Sequence, residues 1–106
     1  MERQGMEDEA VIRLTSAIEP NALRETVIGC LRGDLTAAAA LRALVRLGDL
    51  EVARNVIDEV TRKAATISRA GDSLVRDRAD ELTQLFVDTE GGCDDGDQLI
   101  RRLGSA

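Results

Sequence analysis

Two Gly-Asp-Leu triplets, Gly33-Asp34-Leu35 and Gly48-Asp49-Leu50, lie between stretches whose apolar residues recur every three or four positions. Glycine suits the left-handed residue that closes a helix, and aspartate can accept hydrogen bonds from the free amides that open the next one. The leucine that follows starts a new apolar stripe. Such junctions leave room only for very short turns, so they predict helical hairpins. Gly71, followed by Asp72 and Ser73, marks a further junction, and Pro20 is the single proline in a chain rich in helix-favouring residues. The expected fold is therefore all-α: a compact bundle of about five helices built from short-turn hairpins, plus a short C-terminal helix.

After a disordered start over residues 1–6, the pattern predicts a bundle domain over 7–90. Its first helix runs from about Glu7 to Ile18 on Val11, Leu14 and Ile18, and ends before Pro20, which pushes its predecessor out of helical geometry. Asn21 is expected to cap a second helix, Ala22 to Arg32, with Leu23, Val27, Ile28 and Leu31 on one side. The third, Leu35 to Leu47, opens with Ala37 to Ala40 and carries Leu41, Leu44, Val45 and Leu47. The fourth, from Leu50 to about Ala70, keeps an unbroken three-four spacing through Ala53, Ile57, Val60, Ala64 and Ile67, flanked by the i to i+4 pairs Asp58–Arg62 and Glu59–Lys63. The fifth, Leu74 to Thr89, presents Val75, Ala79, Leu82 and Phe86 and should lie antiparallel to the fourth across a turn at Gly71 and Asp72, with Asp72 or Ser73 as its cap. Residues 91–97, GGCDDGD, read as a flexible linker. A short helix and tail, 98–106, follow with Asp97 as cap.

At 106 residues the chain is one domain, and with Phe86 as its lone aromatic it must pack on aliphatic side chains. The formal charge of −6 repels polyanions, so nucleic acid is not an expected partner. Apart from Lys63 the basic residues are all arginine, a bias found in GC-rich genomes and in proteins working at high salt. Cys30 and Cys93 lack any metal or redox spacing, which suits a reducing cytoplasm. Cys30 falls beside an apolar stripe and reads as a small core residue, whereas Cys93 is expected to be exposed. The start is acidic where an export signal is basic then apolar, and no run is long enough to span a membrane; a soluble cytoplasmic protein is expected.

Chemistry is excluded class by class. The chain has no histidine, which removes histidine acid–base work, serine or cysteine triads and the usual metal sets. Two cysteines do not make a zinc site, and no phosphate-binding glycine loop is present. Asp94, Asp95 and Asp97 lack the spacing of a calcium loop and read as a solvated linker. Asp77, Asp80 and Glu81, with Asp58 and Glu59, resemble the carboxylate-lined magnesium sites of helical nucleotide pyrophosphohydrolases, but the paired ExxE and ExxD signatures are missing and Arg62, Arg76 and Arg78 are interleaved, so surface ion pairs explain them. The expectation is a protein that is not an enzyme, without metal or cofactor.

Leu44, Gly48, Asp49, Ala53 and Ile57 resemble the second-helix half of a tetratricopeptide unit, although the turn glycines do not recur at that family's period of ~34 residues. Helices two and three, with Arg42 and Arg46, offer an alternative reading as a helix-turn-helix DNA-binding regulator; Gly29 and Leu35 depart from its turn pattern. The favoured reading is a non-enzymatic protein–protein interaction module, a regulator, adaptor or small chaperone-like protein that presents an apolar helical surface to a partner helix or to itself. The expected partner-binding residues are Ala37, Ala40, Leu44, Val52, Val56, Leu99, Ile100 and Leu103. A homodimer through helices three and four is expected if Val52, Val56 and part of Leu41 to Leu47 remain uncovered.

Overall fold

The structure is a computed structural model that describes residues 2–68 and 70–105, and the side chains of all of these except 2–8, 70 and 105. Its helices are α1 (Glu2–Thr15), α2 (Asn21–Arg32), α3 (Ala37–Leu47), α4 (Leu50–Ala64), α5 (Ser73–Glu90) and α6 (Gly96–Ser105), with a 3-10 turn at Ala70–Asp72 before α5. No strand occurs among the described residues, and the fold is the expected all-α bundle with a short C-terminal helix. The radius of gyration, 13.3 Å, is that of one compact body, close to the ~13 Å usual at this length.

The two Gly-Asp-Leu triplets build different turns. At the first, Gly33 is left-handed (φ 90°), its N–H donates to the Cys30 carbonyl, and the Asp34 N–H donates to Gly29 O at 2.8 Å. These two bonds form a Schellman closure. Asp34 is spent on ending α2, so Thr36 caps α3 instead, accepting from Ala39 N at 3.1 Å, and α3 starts at Ala37 rather than Leu35. At the second triplet the roles reverse: Asp49 is the cap, accepting from Val52 N at 2.9 Å, while Gly48 is not left-handed. Gly48 is required there by contact, since a Cβ at that position would lie 2.6 Å from Val52 Cγ1.

Two helices stop before their apolar stripes do. α1 begins at Glu2, ahead of the expected Glu7, and ends at Thr15; α4 ends at Ala64, short of Ala70. Ile18 and Ile67 nonetheless remain buried, because each follows in a tight turn whose N–H bonds back to Thr15 O (3.0 Å) and Ala64 O (3.1 Å). Threonines stand at both sites: Thr15 Oγ1 donates to Val11 O, and Thr66 Oγ1 to Lys63 O. Such bonds accompany the helix ends without causing them, since Thr61 and Thr26 make the same kind of bond inside α4 and α2. Gly71 sits in the 3-10 turn rather than at the end of α4.

Two further caps differ from expectation. α2 opens on Pro20, whose carbonyl accepts from Leu23 and Arg24, while Asn21 is already helical. Asp72 occupies the cap position of α5 without making a side-chain cap bond.

α4 and α5 run antiparallel, as two cross-links at matched positions show. Arg54 pairs with Glu90 at 2.8 Å, and Thr61 and Thr83 hydroxyls meet at 2.8 Å. Thr61 already donates to Ile57 O, so Thr83 is the donor in that pair. The expected stripes, Leu50, Ala53, Ile57, Val60 and Ala64 on α4 and Val75, Ala79, Leu82 and Phe86 on α5, are buried throughout. α5 touches every other helix, and α3 lies against α2, α4, α5 and α6.

α6 docks on α3 and α5 rather than projecting. It starts at Gly96, with Asp95 as its cap accepting from Gln98 N at 3.0 Å, so the linker is shorter than 91–97. Gly96 allows close approach, because a Cβ there would lie 2.4 Å from Val45 Cγ1.

The unequal triplets give a direct test. Asp49→Ala is expected to cost about 1 kcal/mol, lowering Tm by roughly 4–8 °C. Asp34→Ala, which removes no side-chain bond, should stay within about 0.5 kcal/mol of the parent in urea unfolding followed by circular dichroism.

Candidate functional site

The residues expected to bind a partner divide by burial. Ala40, Leu44 and Leu99 are fully enclosed, and Val56 and Leu103 are each 7% exposed. Ala37, Val52 and Ile100 are half-buried against the same core. They were selected for apolarity, and most of them spend it inside the bundle. Of the face on which the homodimer expectation depends, Leu41, Leu44 and Val56 are buried, Val52 is half-buried, and Leu47 at the end of α3 is 53% exposed.

Val52 and Val56 nevertheless meet the surface at one place. They line a groove of about 340 Å³ with Asn55 and Glu59 from α4 and Ala17, Ile18 and Glu19 from the α1–α2 connection. Positions 52, 55, 56 and 59 share one face of a helix. The buried Ile18 and Val56 make its floor, Val52 and Glu59 are half-buried, and Ala17, Glu19 and Asn55 are exposed. Ala17 and Ile18 lie beyond the end of α1 rather than in the helix expected through Ile18, and Glu19 and Asn55 are not among the expected partner-binding residues. The one available signal was Pro20, which forces the chain to turn beside α4.

Of the other residues weighed for chemistry, Asp58, Asp77, Asp80 and Glu81 make no ion pair among the described residues, so the surface ion pairs expected of them are not formed, whereas others have structural partners. Glu59 binds Lys63 at 3.1 Å, as its spacing predicts, and also Arg62 at 3.1 Å, which takes the place of the expected Asp58–Arg62 pair. Asp95 is a helix cap, and no group of three potential ligands suited to a metal ion occurs among the described residues. Arg78 donates to Leu31 O at 2.9 Å, Arg76 to Ile67 O at 3.2 Å, and Arg102 to Thr89 O at 3.0 Å and to Gly91 O. These arginines cover carbonyls at or just beyond helix C-termini, which lack partners within their helices. Arg42 is half-buried on α3, whose residues 37–45 are all buried or half-buried; Arg46 is exposed.

The cysteines differ from each other. Cys30 is buried in α2, and burial, reinforced by the charge of Glu81 and opposed by Arg78, pushes its thiol up to about 11. Cys93 is not exposed as expected but half-buried, its Sγ bonded to Thr89 O at 3.3 Å. Both are free thiols. No helix among the described residues is long and apolar enough to cross a membrane. No protein-family model matches the chain, and no curated protein or solved structure matches it either.

These environments have measurable consequences. Leu99→Ala should lower the unfolding free energy by about 2–5 kcal/mol in urea titrations, because it empties an enclosed position. For the thiols, Cys93 should react with a soluble disulfide reagent in the folded protein and Cys30 only on unfolding. The raised pKa of Cys30 adds a pH signature. Its contribution to stability is fully present below the unfolded thiol's value near 9.0 and declines as pH rises toward about 11, a slope that Cys30→Ala should remove.

Proposed function

We propose that the chain is a non-enzymatic protein–protein interaction module, of the regulator, adaptor or small chaperone-like class, and that its contact site is the groove between α4 and the α1–α2 connection. The observation that carries this reading is the combination at that site of an aliphatic floor, Ile18 and Val56, with open polar groups, Glu19 and Asn55. A surface that binds protein needs both: apolar area to bury and a polar rim to orient the partner. At about 340 Å³ the groove accommodates a few side chains of a partner rather than a whole domain. The DNA-binding alternative draws less support from the geometry. Residues 37–45 of α3 are buried or half-buried under α2, α4, α5 and α6, so a DNA groove would meet little beyond its last turn.

Site-specific photo-crosslinking tests the reading. A photoreactive residue in place of Asn55, in the protein's native cells, is expected to yield a discrete adduct that the same residue at Asp80 on α5 does not. Equal adducts at both positions, or none at Asn55, would overturn it.

A further inference from the structure

We infer that the groove takes a partner segment in which an aliphatic side chain is next to a lysine or arginine; this rests on the reading of the chain as an interaction module and specifies the chemistry of its partner. The two carboxylates that line the groove differ electrostatically. Glu59 is neutralised, with one carboxylate oxygen 3.1 Å from Arg62 and the other 3.1 Å from Lys63, and Lys63 is held in addition by Ser16 at 3.5 Å. Glu19 is exposed, and among the described residues it has no ion pair and the exposed Asn55 side chain makes no hydrogen bond. The site therefore offers apolar contact at Ile18 and Val56, an uncompensated negative charge at Glu19 and an amide able both to donate and to accept.

An occupant that satisfies all of these places a leucine- or isoleucine-type side chain over Ile18 and Val56, its cation against Glu19 and a polar group against Asn55. Residues 52 to 59 of α4 span roughly 10 Å, so two turns of helix or a few extended residues fill the site. An acidic segment would meet the unpaired carboxylate of Glu19 and lose by repulsion. The chain's net charge of −6 adds long-range attraction for a basic partner. A second copy of the chain is the competing occupant, since Leu47 beside Arg46 and Ile12 beside Arg13 are exposed aliphatic–basic pairs of its own.

The test titrates the full-length, isotope-labelled protein with an acetylated, amidated peptide carrying leucine and lysine at amphipathic helical spacing in an alanine background. A control peptide has glutamate in place of lysine. Saturable amide shifts at Ala17, Glu19, Val52 and Asn55 with the lysine peptide alone are expected, weakened at least ~5-fold by Glu19→Gln and by raised salt. The spectrum of Glu19→Gln itself verifies that the variant remains folded. Equal binding of both peptides in the groove would overturn the charge assignment while leaving the interaction reading in place. Shifts elsewhere only, no shifts, or groove shifts that follow protein concentration without peptide would each overturn the inference, the last in favour of a second copy.

Discussion

The bundle depends on how α5 holds the ends of the other helices. It touches all of them, and its contacts are of two kinds. Its aliphatic stripe and Phe86 bury apolar area, which is the larger driving force but does not fix direction. Its polar groups fix position. Arg78 bonds the last turn of α2, Arg76 bonds the carbonyl of Ile67 beyond α4, and Thr83 and Glu90 tie α5 to Thr61 and Arg54 of α4. α6 returns the arrangement by placing Arg102 on the carbonyls at the end of α5. A small protein made only of short helices has many C-termini, each with carbonyls that no helix can satisfy. A planar guanidinium on a long stem can reach several at once, which gives the arginine bias of the sequence a structural use beyond composition.

Which residues face inward was legible in the sequence, as were the ends of α2 at Arg32 and α3 at Leu47; where α1 and α4 end was not. The stripes of α4 and α5 are buried as their spacing predicts, because three-four periodicity is a direct consequence of helical geometry. Ile18 and Ile67 extend that spacing past the last helical residue, so the apolar pattern contains no mark of the break. Thr15 and Thr66 do not carry it either, since Thr61 and Thr26 make the same kind of bond inside helices. The Gly-Asp-Leu triplets show the same limit. Identical residues produce a Schellman closure at Gly33 and an aspartate cap at Asp49, and the difference depends on Thr36, which offers the first turn a second cap, and on Val52, which packs against Gly48.

The candidate site was legible only in part, for a related reason. A partner-binding face and a core face are both apolar, so Ala40, Leu44, Leu99 and Leu103 satisfied the criterion for binding while serving the core. Val52 and Val56 belong to the face of α4 that meets the α1–α2 connection. What decides their exposure is α1, a neighbour distant in sequence whose placement no local pattern specifies. Glu19 and Asn55 passed unnoticed because a polar residue on a helix or in a turn is the ordinary case; they acquire meaning only when the fold brings them to the lining of an aliphatic groove.

The groove is itself a product of the early end of α1. The helix stops at Thr15, and the chain turns through residues 16–20 before α2 begins. In that turn Ile18 reaches inward while Ala17 and Glu19 remain outside. The turn sets Ala17, Ile18 and Glu19 against the face of α4 that carries Val52, Asn55, Val56 and Glu59, and Val52 stays half-buried there. The exposed carboxylate of Glu19 stands at that surface because Pro20, the next residue, obliges the chain to leave helical geometry there.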